Sequence, residues 1–468
     1  TGLASTDLSA AHLQELGLSL TAYNNAAGTP GHHLPAILSA IAASGSEVGS
    51  LAALQTLASR AASAQDKILH YADETGSPTA PAPTAEDYRA IGLARFETDA
   101  TGARIALVSP ERVAAINAAL HASGIGPDRA DTPAGIKRVV TAYNAILDSA
   151  NGTAGDTAVA LTGEHYRDIG VTIAGVTAPG GAGKDGAILS LFNSLIDSLS
   201  AADVATPAKI EALGATVGKL IGLAGQPRTQ PVSNAPASGE LARFGIQSLS
   251  DDERDAFIAV LQTKAVSDFD TLGEVQALAT SVRAAYARVI AYAETNGGAA
   301  PTVADYQALA ITGISDNAGH RDAVNAALAT TAVKGSTVAR LNALQAVVDS
   351  YRLLLQQADG TADNTATADL AKLEHFENIG VDMMLLKQLD GSAAGATRNA
   401  VQLLSSLVDS RSTAAVDTPQ ELQQLVSLVH KLALAEQGLD TSPLLPADFA
   451  LIGMPVSDAA VVAQIRAQ

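Results

Sequence analysis

A short amphipathic segment closing on an apolar residue and Gly, or a similar pair, recurs seven times in the 468-residue chain. The copies are His12–Gly17, Tyr88–Gly92, Tyr166–Gly170, Leu241–Gly245, Tyr306–Ala310, Phe376–Gly380 and Phe449–Gly453, at intervals of 65–78 residues. Self-similarity at such a period marks architectures whose units bury their apolar faces against one another. Length alone implies about three domains of ~150 residues. The repeat replaces that expectation with six complete modules and the start of a seventh.

Each module reads as three helices. The first is the short segment, stopped by its Gly. The second is an Ala-rich amphipathic stretch such as 109–123 or 319–329. The third begins most clearly: Thr132–Pro133, Thr206–Pro207 and Thr418–Pro419 each set an N-cap Thr before Pro at the first helical position. These helices are expected to stop at Gly152, Gly225 and Gly438. Along another third helix, Val275, Leu278, Val282, Ala285, Val289 and Tyr292 repeat with the spacing of a packed seam. Leu54, Leu57, Ala61, Ala64, Ile68 and Tyr71 repeat that seam at an offset of 221. Helices of about 20 residues would give layers roughly 30 Å long.

A second order of repetition lies above the first. Ile116–Asn117–Ala118–Ala119–Leu120 matches Val324–Asn325–Ala326–Ala327–Leu328 at an offset of 208, with Tyr143 on Tyr351 and Asn151–Gly152–Thr153–Ala154 on Asp359–Gly360–Thr361–Ala362. Leu191 to Pro207 aligns without a gap on Leu403 to Pro419 at an offset of 212. A block of three modules is therefore read as duplicated. The expected fold is all-α, a tandem array of small three-helix bundles. Modules are expected at 1–80, 81–158 and 159–225, then at 239–298, 299–366 and 367–440, with the seventh opening at 441–468. The join at 226–238 holds three prolines among Ser, Thr, Asn and Gln, which suits an exposed linker.

Composition narrows the function classes. Ala fills about a fifth of the chain, and 39 Gly and 18 Pro punctuate it. With no Cys, there is no disulfide scaffold, thiol nucleophile or thiolate metal site. A net charge of −19 argues against a nucleic-acid surface, which needs clustered Lys and Arg. No apolar run is long enough to span a membrane. Thr1 to Leu8 lack the basic and apolar regions of a signal peptide. Pro446–Asp448–Phe449 and Ile452–Gly453 read as the opening of another unit, so the chain is expected to continue or to pack its end into a neighbouring copy.

No residue carries a strong catalytic, cofactor or metal signal. Gly180–Gly181–Ala182–Gly183–Lys184–Asp185 resembles a phosphate loop, but Ala178 and Asp185 stand where Gly and a hydroxyl residue are required. As a calcium-binding nonapeptide it has Ala187 where a large apolar residue belongs, and it stands alone. It reads instead as the loop between a first and a second helix, the slot that holds Gly28–Thr29–Pro30, Asp316–Asn317 and Gly391–Ser392 elsewhere. The nine His show no metal-ligand spacing; His165 and His375 occupy equivalent places, which favours a structural role. Carboxylates at Asp251–Asp252–Glu253 and Asp73–Glu74 fall at helix ends and read as caps or solvated faces. Asn151–Gly152–Thr153 formally matches a glycosylation acceptor, whereas its counterpart Asp359 does not. Tyr71, Tyr143, Tyr286, Tyr292 and Tyr351 are expected in the core, hydroxyls at the rim. Catalytic, cofactor-binding and metal residues are accordingly none, and no cofactor is expected.

Modules of this form, with Asp87–Tyr88–Arg89–Ala90–Ile91–Gly92 and Val324–Asn325–Ala326–Ala327–Leu328 as the clearest segments, resemble the Ala-rich helical repeats of very large secreted bacterial surface proteins. The resemblance covers the whole chain. It implies an adhesin, biofilm-matrix or surface-layer type of protein at the cell surface, and brings no catalytic residues. The expected function is a non-enzymatic rod, stalk or self-assembling filament or layer, with other copies or adjoining repeats as partners and neither nucleic acid nor membrane span. The alternative is a binding module whose helix faces grip a host, glycan or matrix ligand, for which Met383 and Met384, against Ile173 and Ala174 in the partner module, mark a difference. A helical enzyme is the third reading, and the duplication argues against it.

Overall fold

The computed structural model describes residues 8–19, 33–45, 48–73, 79–98, 104–122, 131–153, 155, 160–177, 184–228, 232–247, 249–314, 318–361, 371–391, 395–437 and 444–452. These are mostly α-helical, as the Ala content and periodic seams require. The helices begin with α1 (Ala10–Glu15), α2 (Leu34–Ala43), α3 (Leu51–Asp73), α4 (Ala85–Ala90), α5 (Val113–Leu120), α6 (Pro133–Ser149) and α7 (Gly163–Asp168). They continue with α8 (Asp185–Ser198), α9 (Pro207–Leu223), α10 (Ser238–Ala242), α11 (Asp251–Thr263), α12 (Leu272–Thr295), α13 (Val303–Ala308) and α14 (Ala318–Leu328). The last are α15 (Gly335–Val338), α16 (Leu341–Gln357), α17 (Leu373–Asn378), α18 (Met384–Lys387), α19 (Ala396–Asp409), α20 (Pro419–Glu436) and α21 (Pro446–Leu451). The only sheet among the described residues is an antiparallel hairpin of β1 (Ala94–Thr98) and β2 (Arg104–Ala106), between α4 and α5. Those strands are too short to carry a period-two signal, so the sequence gives no warning of them.

The chain divides into two compact units. Unit 1 comprises residues 1–222 and 265–275, and unit 2 comprises residues 223–264 and 276–468.

The recurrent segments fold as α1, α4, α7, α10, α13, α17 and α21, each five or six residues long. So short a helix is marginal alone and needs its ends fixed. At each start the N-cap N–H donates to the side chain three residues on. The acceptor is a carboxylate at Asp87 (2.7 Å), Glu240 (2.8 Å), Asp305 (2.7 Å) and Asp448 (2.8 Å). It is an imidazole Nδ1 at His12 (3.2 Å), His165 (3.0 Å) and His375 (3.0 Å). The stop is a Schellman motif. In α4, the Gly92 N–H donates to the Arg89 carbonyl and the Leu93 N–H to the Tyr88 carbonyl. The same two bonds close α1, α7, α10, α13 and α17, with Gly17, Gly170, Gly245, Ala310 and Gly380 at positive φ. Each short helix buries one apolar or aromatic side chain: Leu13, Tyr88, Tyr166, Leu241, Tyr306, Phe376 and Phe449.

Longer helices supply most of the core. Thr132, Thr206 and Thr418 cap α6, α9 and α20, accepting from Gly135, Lys209 and Glu421 N–H at 3.2–3.3 Å. α6 stops at Ser149 and α9 at Leu223, ahead of Gly152 and Gly225, which lie in the turns beyond; Gly438 lies outside the described residues. Leu54, Ala61, Ala64, Ile68 and Tyr71 bury the seam of α3, and Val275, Val282, Ala285 and Val289 that of α12. Leu57, Leu278 and Tyr292 are only half-buried, because the buried stripe drifts onto Ala58, Ala279 and Ala293 as an unsupercoiled helix demands. Tyr143 and Tyr351 are buried completely, hydroxyls included. Their rim placement is corrected: the Tyr143 hydroxyl donates to the Val204 carbonyl at 2.8 Å, a partner from outside its own helix.

Candidate functional site

Most polar groups singled out in the sequence hold the backbone together. His12, His165 and His375 serve as caps, and buried His33 lies 2.6 Å from Asp66. Of the Gly-rich loop only Lys184 and Asp185 are described, at the start of α8; residues 178–183, Gly28–Pro30 and Asp316–Asn317 lie outside the described residues. Lys184 Nζ donates to the Ile221 carbonyl near the end of α9 at 3.2 Å, so it already neutralises a helix C-terminus. Asp251–Asp252–Glu253 opens α11, where the Ser250 N–H donates to Glu253 at 2.8 Å. Asn151 and Asp359 build the same turn, each accepting the N–H two residues on at 2.8 Å.

Two polar devices escaped the sequence reading. The first is a clamp. The Tyr88 hydroxyl donates to Asn117 Oδ1, and Asn117 Nδ2 donates to the Pro83 carbonyl just before α4 at 2.8 Å. Tyr166, Asn193 and the Leu161 carbonyl repeat it, as do Tyr306, Asn325 and the Pro301 carbonyl. Burial pushes all three phenol pKa values up, so the hydroxyls remain donors. Where Phe376 lacks the hydroxyl, Ser405 stands in place of the Asn, and it bonds Gln357 instead. That paired change is the signal a reader of the sequence could have used.

The second device is ionic. Lys67 of α3 bonds Asp87 of α4 at 2.7 Å, Arg288 of α12 pairs with Asp305 of α13, and Lys431 of α20 bonds Asp448 of α21 at 3.1 Å. In each pair the carboxylate is also the capping acceptor of a short helix. Burial raises the Asp87 pKa, but Lys67 and the Thr84 cap outweigh it and leave the carboxyl below its ordinary value.

One groove is chemically distinct. It lies in unit 2, has a volume of about 480 Å³, and is lined by His320, Arg352, Gln356, Thr413 and Asp417 with Gly and apolar neighbours. Burial holds His320 below its ordinary pKa, and its Nε2 has no hydrogen-bond partner among the described residues. Burial, then Glu421, pushes the Asp417 carboxyl up. Arg352 bonds Asp349 at 3.3 Å. No hydrogen bond joins His320, Thr413 and Asp417 among the described residues. The offset of 208 maps His320, Arg352 and Gln356 onto Arg112, Asn144 and Asp148 of unit 1. There Arg112 bonds Asn144 at 3.2 Å and pairs with Asp148, which satisfies its guanidinium locally. The groove thus marks a place where the two blocks differ in polar chemistry. Among the described residues no three His, Asp or Glu gather as a metal site, and no helix is long and apolar enough to cross a membrane.

No protein-family model, no curated protein and no solved structure matches the chain.

Proposed function

We propose that this chain is a non-enzymatic structural or adhesive element, a tandem array of small three-helix modules with a block of three used twice. The observation that carries the reading is repetition of one joining chemistry. The same capped helix, the same Schellman stop and the same Tyr–Asn clamp recur in both units. A scaffold whose polar groups are spent on holding successive elements suits a rod, stalk, filament or layer. The acidic, cysteine-free composition fits a bacterial surface or extracellular setting. Small-angle scattering and sedimentation across salt and calcium concentrations test the proposal. An elongated particle or a higher assembly is expected; a chain that stays compact and monomeric under every ionic condition contradicts it.

A second reading, recognition of a host, glycan or matrix ligand, draws support from the His320 groove and from Met384, which is 58% exposed. Binding to a panel of such ligands should then be lost in a His320→Arg/Gln356→Asp variant, which reproduces the pairing of unit 1. Binding that survives removes the groove from this reading.

A further inference from the structure

We propose that the His320 groove of unit 2 is a sugar site, which takes the ring of a neutral pyranoside. This rests on the ligand-recognition reading above and names its ligand class.

The groove arises where the duplicated blocks keep their frame and change their lining. Ser412, Val416, Thr418 and Pro419 match Ser200, Val204, Thr206 and Pro207 at the offset of 212. The five polar residues that line the groove all differ. His320, Arg352 and Gln356 stand where unit 1 has Arg112, Asn144 and Asp148, and Thr413 and Asp417 stand where it has Ala201 and Ala205. In unit 1 the Arg112 guanidinium is spent on Asn144 and Asp148, and the two alanines bring no polar group. The exchange replaces a closed pairing with a set of open donors and acceptors.

His320 is only 9% exposed. The Val348 and Gly313 carbonyls accept from its imidazole, whereas Nε2 has no partner among the described residues. The ring proton therefore sits on Nδ1, and Nε2 is an open acceptor. Asp417 has Glu421 and Asp322 as its charged neighbours, and no cation pairs with it among the described residues. The fully buried Tyr351 hydroxyl, near Asp417, also lacks a partner among the described residues, whereas its counterpart Tyr143 bonds the Val204 carbonyl. The loop that carries Thr413 and Asp417 thus lacks the bond that ties the equivalent loop of unit 1 to α6.

These groups select a ligand by what each can exchange. His320 Nε2 and Asp417 only accept, Arg352 only donates, and Gln356 and Thr413 do both. A hydroxyl gives one hydrogen and takes others, so a ring bearing several hydroxyls answers the whole set. The lining carries one charge of each sign, and a neutral ligand opposes neither. A carboxylate would meet Asp417 beside Glu421, and an ammonium would meet Arg352. Leu355 and Ala414 supply apolar surface for the C–H face of the ring. The volume of about 480 Å³ lies within the ~300–1,000 Å³ typical of small-ligand sites.

The test uses the full chain and the methyl pyranosides of glucose, galactose, mannose and N-acetylglucosamine, with glucuronate and glycine as charged comparators. In ¹⁵N-histidine spectra, at least one neutral pyranoside should shift the His320 Nε2 resonance saturably, and the comparators should not. Two variants rebuild unit 1, His320→Arg/Gln356→Asp on one wall and Thr413→Ala/Asp417→Ala on the other. Their residues already occupy the equivalent places, so helical circular dichroism should be kept. Each should weaken the pyranoside at least about tenfold in ligand-observed titrations, the loss of one charge-assisted hydrogen bond. A pyranoside bound equally by the parent and both variants overturns this site and leaves ligand recognition standing. Glucuronate or glycine shifting His320 in place of the neutral sugars overturns the ligand class and keeps the groove. No shift with any probe overturns the sugar site, and the recognition reading falls with it only if the host and matrix panel is silent as well.

Discussion

At the residue scale, the clamp of Tyr, Asn and a backbone carbonyl shows how a polar group is made safe inside an Ala-rich core. Removing one member strands the others in low dielectric. Asn117→Ala leaves the Tyr88 hydroxyl and the Pro83 carbonyl unpaired, and should cost about 1–3 kcal/mol in urea unfolding. Tyr88→Phe combined with Asn117→Ser should cost less than the sum of the single changes, because the chain uses Phe376 with Ser405 at the equivalent place. A clamp that contributes nothing would make the single change neutral. Protonation is a second residue-scale handle. Burial holds His320 and His375 below their ordinary pKa, so the folded chain keeps them neutral while the unfolded chain titrates near 6.5. Their stabilisation is therefore complete above pH 6.5 and declines as the pH falls through the folded values. His375 must also stay neutral to accept the Lys372 N–H. Thermal unfolding between pH 7.5 and 5 should show this loss, and His375→Asp, the residue used at Asp87 and Asp305, should reduce the slope. An unchanged slope would remove that cap from the explanation. The structural role of His375 was legible from its equivalence with His165, but the clamp was missed, since an Asn inside an apolar run looks like any helix residue until its Tyr is placed beside it.

At the element scale, the short helices were the most legible parts, because Gly at a fixed place after a buried aromatic or Leu specifies a Schellman stop. The fifth segment departs from that pattern. Ala310 sits at φ +52 where the other copies have Gly, a left-handed backbone that disfavours a side chain. Ala310→Gly should stabilise the chain by about 0.5–1 kcal/mol, and an unchanged unfolding midpoint would show that the strain is absorbed elsewhere. Gly92 and Gly152 separate backbone strain from crowding. Both have positive φ, +89 and +82, but a Cβ on Gly92 would lie 2.4 Å from the Ser39 carbonyl oxygen, whereas on Gly152 it meets nothing. Gly152→Ala should cost about 1 kcal/mol, the conformational penalty alone. Gly92→Ala should cost clearly more, since α2 must move; equal costs in the two unfolding curves would mean that α4 is not held against α2. Helix limits and the hairpin were less legible. α6 and α9 end before their glycines because the turns beyond make their own hydrogen bonds, Gly152 N–H to Leu199 and Gln226 N–H to Leu223. The hairpin offers only eight strand residues, too few for alternation to emerge.

At the scale of the whole molecule, the duplicated sequence predicts duplicated geometry, and individual hydrogen bonds recur at equivalent positions of each unit. Asn151 bridges to Ser200 in unit 1 as Asp359 does to Ser412 in unit 2. Tyr88, Asn117 and Pro83 repeat as Tyr306, Asn325 and Pro301. The His320 groove was not legible, because it depends on the loss of an ion pair that exists only once Arg112 and Asp148 are brought together in the other block. The ionic joints were hidden for the same reason: Lys67 and Asp87 are 20 residues apart, and no periodic signal links them. In the array proposed above, repetition itself is the working property. Electron micrographs of the purified protein test that claim most directly. Rods or ordered polymers, their lateral width unchanged as they lengthen, are the predicted result. Isolated compact globules at every protein and salt concentration would contradict it.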